Sequence, residues 1–168
     1  MRAWRVHQVG APEDVLRLEQ TEAPEPGPRQ VLLQVVLAAV NFPDDLMVRG
    51  IYQVKPPLPF TPGHEVLGVV VANGAETDIA EGSRVVALVA LPAGGFAENA
   101  LADVEDLFPL TDTVPDEVAA SILITYQTSH VALHRRAGIR SGETLLVHAA
   151  PAGSAPPRCS SAWPPGPG

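Results

Sequence analysis

The sequence predicts a mainly β fold with helices (α+β), in which short strands form an irregular β-barrel or sandwich. As far as Val114, apolar runs alternate with turns that contain glycine or proline, which is the pattern of many short strands. After Val114 a helix-compatible segment follows, and then one more apolar run. The chain has 168 residues, of which 46% are hydrophobic and 18% charged, so it has room for one domain of ordinary size and a fragment of a second.

Four strands are predicted in the first part of the chain. Residues 30–40 form an apolar run rich in Val and Leu, typical of a strand buried on both faces. Residues 66–72 form a second, β-branched run. Residues 84–91 form a third, entered through a turn in which Gly82 is free to adopt positive φ. Residues 96–101 alternate between apolar and polar side chains, which indicates a half-buried strand.

The second part predicts a helix and one buried strand. A proline and two acidic residues at 115–117 favour a helix start, since the ring has a suitable φ and the acids complement the helix dipole. Residues 118–137 are mostly compatible with helix, and Gly138 is a suitable stop. Residues 144–150 are typical of a buried strand of a parallel sheet, at the opening of a βαβ unit.

The composition of the tail predicts disorder, and the composition of the whole chain argues against several classes of protein. Residues 151–168 contain six of the 18 prolines, so we expect disorder there. The net charge is −8, and 11 Lys and Arg in no run argue against a nucleic-acid partner. The N-terminus lacks a signal-peptide pattern, and the longest apolar stretch, 85–93, is too short to cross a bilayer. We expect a soluble cytoplasmic protein with no membrane partner.

Several motifs, in order along the chain, carry a resemblance to a known family. Residues 39–44 look like the segment GVNFxD, 49–52 resemble RxGxY without the residue between Arg and Gly, and 56–65 match PPLPFxPGxE. Further matches are 82–85 for GDRV (with Ser83 for Asp), 94–98 for GGYAEY, 128–133 for part of LTAYxAL and 142–149 for GExVLVHAA. Together these residues resemble the zinc-free NADPH:quinone oxidoreductases (zeta-crystallin-like) of the medium-chain dehydrogenase/reductase superfamily.

The resemblance implies both a fold and an activity. Members have a GroES-like barrel followed by a Rossmann domain, with the active site between them. They transfer hydride from NADPH to a small-molecule quinone or activated alkene, usually as homodimers. An enoyl thioester or other enone as acceptor is a second interpretation. A free-standing GroES-like binding module without chemistry is a third, although the strand expected at 144–150 would have no purpose in it.

The resemblance also implies the site residues, and each has a plainer alternative. Asn41 is the first candidate for catalysis and cofactor binding, because its amide could hydrogen-bond the cofactor or the substrate carbonyl; it could equally cap a helical turn that begins near Pro43. Tyr52 would contribute a phenol to both roles, or it could be partly buried with its hydroxyl bonded to a backbone carbonyl. Thr128 takes the place of a cofactor-contacting threonine, or its hydroxyl could bond back within its own helix.

Two further features bear on the site. Many relatives in the superfamily hold a catalytic zinc through a cysteine at the position of Asn41 and the histidine of a GHE motif, which is 63–65 here. A catalytic zinc needs three protein ligands, usually with a thiolate among them, and the single cysteine, Cys159, lies in the tail. We therefore expect no metal, and interpret His64 as an ordinary barrel histidine, hydrogen-bonded near the cleft. Asp44 and Asp45 are interpreted as solvated turn residues.

The resemblance breaks off after Ala150, where the family continues with a glycine-rich turn, A-x-G-G-V-G, that approaches the cofactor pyrophosphate. With synonymous third bases chosen, a GC-rich coding sequence can be written for 151–168 that, read with one extra base before it, would translate as A-G-G-V-G-S-A-A-V-Q-L-G-L-A-A-G-A-R. We hypothesise that one nucleotide was lost after Ala150, in the gene or in its sequencing.

The predicted organisation follows from that hypothesis. Residues 1–115 form a GroES-like catalytic domain, 116–150 form a connecting helix and the first strand of a truncated Rossmann domain, and 151–168 form an out-of-frame, disordered tail. Because the phosphate-binding turn is missing, the product as written is expected to bind NADPH poorly and to show no turnover.

Overall fold

A computed structural model describes residues 1–111 and 113–147. The chain divides into two units, Met1–Leu123 and Ile124–Gly168, each with its own internal contacts. The expected domain boundary at residue 115 stays a prediction. No helix within the described ranges is long and apolar enough to cross a membrane.

The first unit is built from two antiparallel sheets. In the smaller one, β1 (Arg2–Val6) pairs with β2 (Leu16–Gln20). The larger sheet has five strands, in the order β6-β3-β4-β5-β7, and it curls into half a barrel. Its strands are β3 (Gln30–Ala39), β4 (Glu65–Asn73), β5 (Arg84–Leu88), β6 (Asn99–Asp103) and β7 (Leu107–Pro109). The mainly β fold with helices is confirmed.

The burial of β3 differs from the expectation. Val31 and Leu33 are fully buried, but Val36 is 47% exposed and Leu37 is 36% exposed. The prediction that this strand is buried on both faces was wrong, because an antiparallel sheet of this kind has one face on the core and the other toward solvent. Two strand ends also shift: β5 ends at Leu88, and β6 begins at Asn99.

Two short helices contact each other in the first unit. Helix α1 (Pro12–Val15) and helix α2 (Phe42–Val48) pack together around a buried apolar cluster. This cluster consists of Val6, Val15, Met47, Val48 and Phe60, with Tyr52 partly buried against it. Gly82 has φ of 85°, as expected for the turn before β5. Helix α2 thus stands at the end of β3, where the candidate site lies.

The predicted helix forms, but much of it is wound more widely than an α-helix. Helix α3 (Asp116–Ala119) begins directly after Pro115, as expected. The helical segments Ile122–Tyr126 and Val131–Ala137 are π-helical, and α4 (Gln127–His130) lies between them. The helix ends at Gly138, which has φ of 64°, so the predicted stop is confirmed.

The buried strand expected at 144–150 does not form in its described part. Residues 144–147 have no ladder partner among the described strands, and Leu146 is 75% exposed. A parallel-sheet strand becomes buried only when neighbouring strands pair with it, which explains the difference. Residues 148–150 and the tail expected to be disordered, 151–168, lie outside the described residues.

Candidate active site

Asn41 stands where β3 passes into α2. Its backbone is extended, with φ of −108° and ψ of 155°, and it is the N-cap of the helix. Asp44, at the third helical position, accepts the backbone N–H of Asn41 through Oδ2 at 2.8 Å and completes a capping box. The interpretation of Asn41 as a cap is therefore confirmed.

The side chain of Asn41 has a second, deeper partner. Its Nδ2 donates to Glu65 Oε2 at 3.1 Å, and the other carboxylate oxygen, Oε1, accepts the backbone N–H of Leu123 at 2.5 Å. Glu65 is fully buried and Asn41 is 9% exposed. A buried carboxylate is tolerated when several donors compensate for its loss of water, and Glu65 has donors on both oxygens.

Asp44 and His64 add two buried polar atoms to this region. Asp44 is 2% exposed, so the interpretation of Asp44 as a solvated turn residue was wrong: the third position of α2 faces the protein interior. Its Oδ1 and the Nδ1 atom of His64 are buried without a hydrogen-bond partner among the described residues. The expectation that the ring of His64 is hydrogen-bonded thus fails at Nδ1.

The pKa of Asp44 is raised above its ordinary value of 3.8, chiefly because burial disfavours the carboxylate. The repulsion from the nearby Glu65 acts in the same direction. The hydrogen bond from the Asn41 backbone, the charge of His64 and the backbone N–H of Gly63 oppose it. The site therefore favours a proton on Asp44 more than solvent does.

The donor set around His64 does not fit a catalytic zinc. Within 1–111 and 113–147, no group of three or more His, Cys, Asp or Glu side chains is arranged to hold a metal ion. The position where the zinc-binding relatives have a cysteine holds Asn41, whose neutral amide is already bonded to Glu65. Cys159 lies outside the described residues.

Tyr52 lies beyond the opposite end of α2 from Asn41. Its backbone N–H donates to the carbonyl of Leu46 at 3.2 Å, and its ring packs partly buried against the cluster around Phe60. A helix of seven residues is about 10 Å long, so α2 separates the two candidates. No described backbone carbonyl accepts the hydroxyl of Tyr52, so the alternative interpretation of this residue is not supported.

Thr128 lies in the second unit, on α4. It is exposed and lines an open groove of about 410 Å³ together with Gln127, Val131, Ala132 and Arg136. The hydroxyl of the next residue, Ser129, does bond back along the helical segment, since it donates to the carbonyl of Thr125 at 2.9 Å. That alternative therefore applies to Ser129 rather than to Thr128, whose hydroxyl has no hydrogen bond to a described residue.

Sequence reasoning missed Asp44 and Glu65 as members of the site. The signal for Asp44 was present, since an acid three residues after an N-cap asparagine is the pattern of a capping box. The signal for Glu65 was weaker. Glu65 is a charged residue directly before the apolar run 66–72. It follows His64, which was considered as a possible zinc ligand.

Asn41 lies between two exposed apolar residues in the chain. Its two neighbours in the chain, Val40 and Phe42, are 82% and 74% exposed, although both are apolar. The start of α2 therefore presents apolar surface to solvent next to the buried amide of Asn41.

Comparisons with known proteins identify the family of the chain. Residues 27–112 match the alcohol dehydrogenase GroES-like domain. The chain is 37% identical over 154 residues to mouse quinone oxidoreductase, covering 91% of the chain and 46% of the mouse protein. It is 41% identical over 133 residues to rat quinone oxidoreductase-like protein 2, covering 78% of the chain and 37% of the rat protein.

Solved structures give the same result. The quinone oxidoreductase of Thermus thermophilus, which was also solved in complex with NADPH, superposes with a TM-score of 0.77 at 35% identity. The match covers 92% of the chain and 47% of the Thermus protein. The chain thus spans less than half the length of each of these relatives.

Proposed function

Because the chain belongs to the alcohol dehydrogenase GroES-like domain family, we propose that it is the N-terminal catalytic part of an NADPH-dependent oxidoreductase that transfers hydride to a quinone or activated alkene. The observation that carries the proposal is the 37% identity to mouse quinone oxidoreductase over 91% of the chain. That stretch includes Asn41, Tyr52 and Thr128, the three residues to which we assign the site.

The local chemistry supports this activity. NADPH supplies the hydride when it is bound, so the protein has to hold the reactants and polarise the acceptor. Asn41 has a rigid amide at the start of α2, between two exposed apolar side chains, and is proposed to hydrogen-bond the cofactor or the acceptor oxygen. Tyr52, whose hydroxyl has no described partner, is proposed to donate a second hydrogen bond to the cofactor or the acceptor. Thr128 is proposed to contact the cofactor.

We propose that the reaction is independent of zinc. Asn41 replaces the thiolate ligand, and its amide bond to Glu65 leaves no anionic donor at that position. The polarisation that a metal would supply is then the task of hydrogen-bond donors. The intact protein is proposed to act in the cytoplasm as a homodimer.

The hypothesis that one nucleotide was lost after Ala150 concerns the cofactor-binding domain. Under this hypothesis, one added base before codon 151 would restore the glycine-rich turn, whose backbone N–H groups would bind the cofactor pyrophosphate. The frame-restored protein is therefore proposed as the active form, while the 168-residue product is proposed to lack turnover.

One experiment tests these proposals together. Resequencing the gene across the codons for His148 to Ser154 decides whether the extra base exists. The frame-restored protein and the 168-residue product are then assayed for NADPH oxidation with a quinone and with an enoyl-CoA acceptor. We expect activity with the quinone in the frame-restored protein only. A preference for the enoyl thioester would change the acceptor, and activity with neither would refute the oxidoreductase proposal.

A further inference from the structure

Glu65 is a fully buried carboxylate that accepts hydrogen bonds from distant parts of the chain. Leu123 donates its backbone N–H to Oε1 at 2.5 Å, and Asn41 donates Nδ2 to Oε2 at 3.1 Å. Because both oxygens of Glu65 accept, the atom of Asn41 that faces it has to be the nitrogen rather than the oxygen.

The carboxylate itself is held firmly in place. Glu65 is the first residue of β4, where it pairs with Ala39 of β3 on one side and with Leu88 of β5 on the other. Its backbone is therefore fixed from both directions by the sheet. Asn41 follows β3 by only two residues, so the same sheet carries both members of the pair.

We propose that Glu65 is a positioning residue, which fixes the orientation of the Asn41 amide and leaves one N–H of that amide for a ligand. The amide is planar, and its two orientations, related by a half turn, exchange the donor for the acceptor. The anionic partner selects one of them before any ligand arrives, and this preorganisation favours binding. The inference rests on the function proposed above, which gives Asn41 its ligand.

The substitution Glu65→Gln tests the orientation directly, because it keeps the size of the side chain but removes its charge and replaces one acceptor oxygen with a donor NH2 group. The introduced oxygen is expected to face the N–H of Leu123, so the introduced NH2 faces the NH2 of Asn41. Two donors cannot pair, and the Asn41 amide has to turn over or move away.

The measurement is the side-chain amide signal of Asn41 in ¹⁵N NMR spectra of the full 168-residue chain. In Glu65→Gln we expect a shifted signal and hydrogen exchange faster by about ten-fold, the effect of losing one hydrogen bond. Asn73, whose Nδ2 donates to the carbonyl of Ile79 at 2.8 Å, is the control and should not change. An Asn41 signal that is the same in both proteins would overturn the proposal.

A reciprocal exchange guards against simple loss of folding. Asn41→Asp alone places two carboxylates in contact and should destabilise the protein. In the double variant with Glu65→Gln, the introduced NH2 group can donate to the introduced carboxylate at position 41. The unfolding equilibrium constant of the double variant should therefore be about ten-fold lower than that of Asn41→Asp alone. If the changes in unfolding free energy caused by the two single substitutions simply add in the double variant, the residues do not act as a pair and the proposal fails.

Kinetics of the frame-restored protein separate this proposal from the proposed function. We expect Glu65→Gln to lower kcat/KM by about ten-fold, and the double variant to recover stability without recovering kcat/KM. An altered Asn41 amide with unchanged kcat/KM would refute positioning while the oxidoreductase activity stands. Absence of any NADPH oxidation in the unsubstituted protein would instead refute the proposed function, and the amide signal would still decide on the pair.

Discussion

The carboxyl of Asp44 accepts the backbone N–H of Asn41 through Oδ2 at 2.8 Å, while its Oδ1 is buried without a partner among the described residues. One oxygen of this side chain therefore stabilises the start of α2, and the other is removed from water without a hydrogen bond to a described residue. This division makes the stability of the protein depend on the protonation of Asp44.

The first prediction concerns pH. Burial raises the pKa of Asp44 in the folded state above its ordinary value of 3.8, so the folded state binds the proton more tightly than the unfolded state does. Asp44 therefore contributes its full stabilisation when the pH is below its ordinary pKa of 3.8. This stabilisation declines as the pH rises through the raised pKa of the folded state. Asp44→Asn should remove this decline and still accept the N–H of Asn41.

Urea unfolding between about pH 3 and pH 7 measures the effect. The free energy of unfolding of Asp44→Asn should increase relative to the unsubstituted protein as the pH rises. Asp44→Ala is the control: it loses the acceptor as well, which costs about 1 kcal/mol. Parallel pH profiles for Asp44→Asn and the unsubstituted protein would contradict the prediction.

The second prediction compares two glycines that both have positive φ. A Cβ on Gly63 (φ 94°) would lie 2.5 Å from Cδ1 of Phe96, whereas a Cβ on Gly82 (φ 85°) would meet nothing within 4 Å. Gly82→Ala should cost only the backbone strain, about 1–2 kcal/mol. Gly63→Ala should cost clearly more, because Phe96 has to move as well. Equal losses in thermal or urea unfolding would show that the contact with Phe96 is unimportant.

The third prediction concerns the hydroxyl of Tyr52. Because it has no hydrogen bond to a described residue and the ring supplies the packing, Tyr52→Phe should leave the free energy of unfolding within about 0.5 kcal/mol. In the frame-restored protein the same substitution should lower kcat/KM, since the proposed donor is lost. A variant that loses stability but keeps its activity would assign the hydroxyl a structural role.

The fourth prediction is the absence of stoichiometric zinc. Elemental analysis of the purified protein should find far less than one zinc per chain, both before and after incubation with zinc and dialysis. His64→Ala is a matched control that should leave the metal content unchanged. About one zinc per chain that is lost in His64→Ala would show that His64 is a ligand after all.

The features that the sequence predicted correctly depend on residues close together in the chain. The β-branched run 66–72 predicted β4, the proline and acids at 115–117 predicted the start of α3, and Gly138 predicted the helix stop. The motifs around Asn41 indicated the family, and the asparagine before Pro43 indicated the cap. Turn conformation, helix capping and strand propensity are set by a few neighbouring residues, so one sequence is enough to read them.

Tertiary structure decided which polar groups are buried and which apolar ones are exposed. Asp44 was expected in solvent and is buried, Glu65 was not predicted as a site residue and is fully buried beside Asn41, and Leu37 was expected in the core and is partly exposed. The bonds that define the site join Asn41 to Glu65 across 24 positions, and Glu65 to Leu123 across 58. Such burial depends on which elements pack together, and local composition contains little information about those distant contacts.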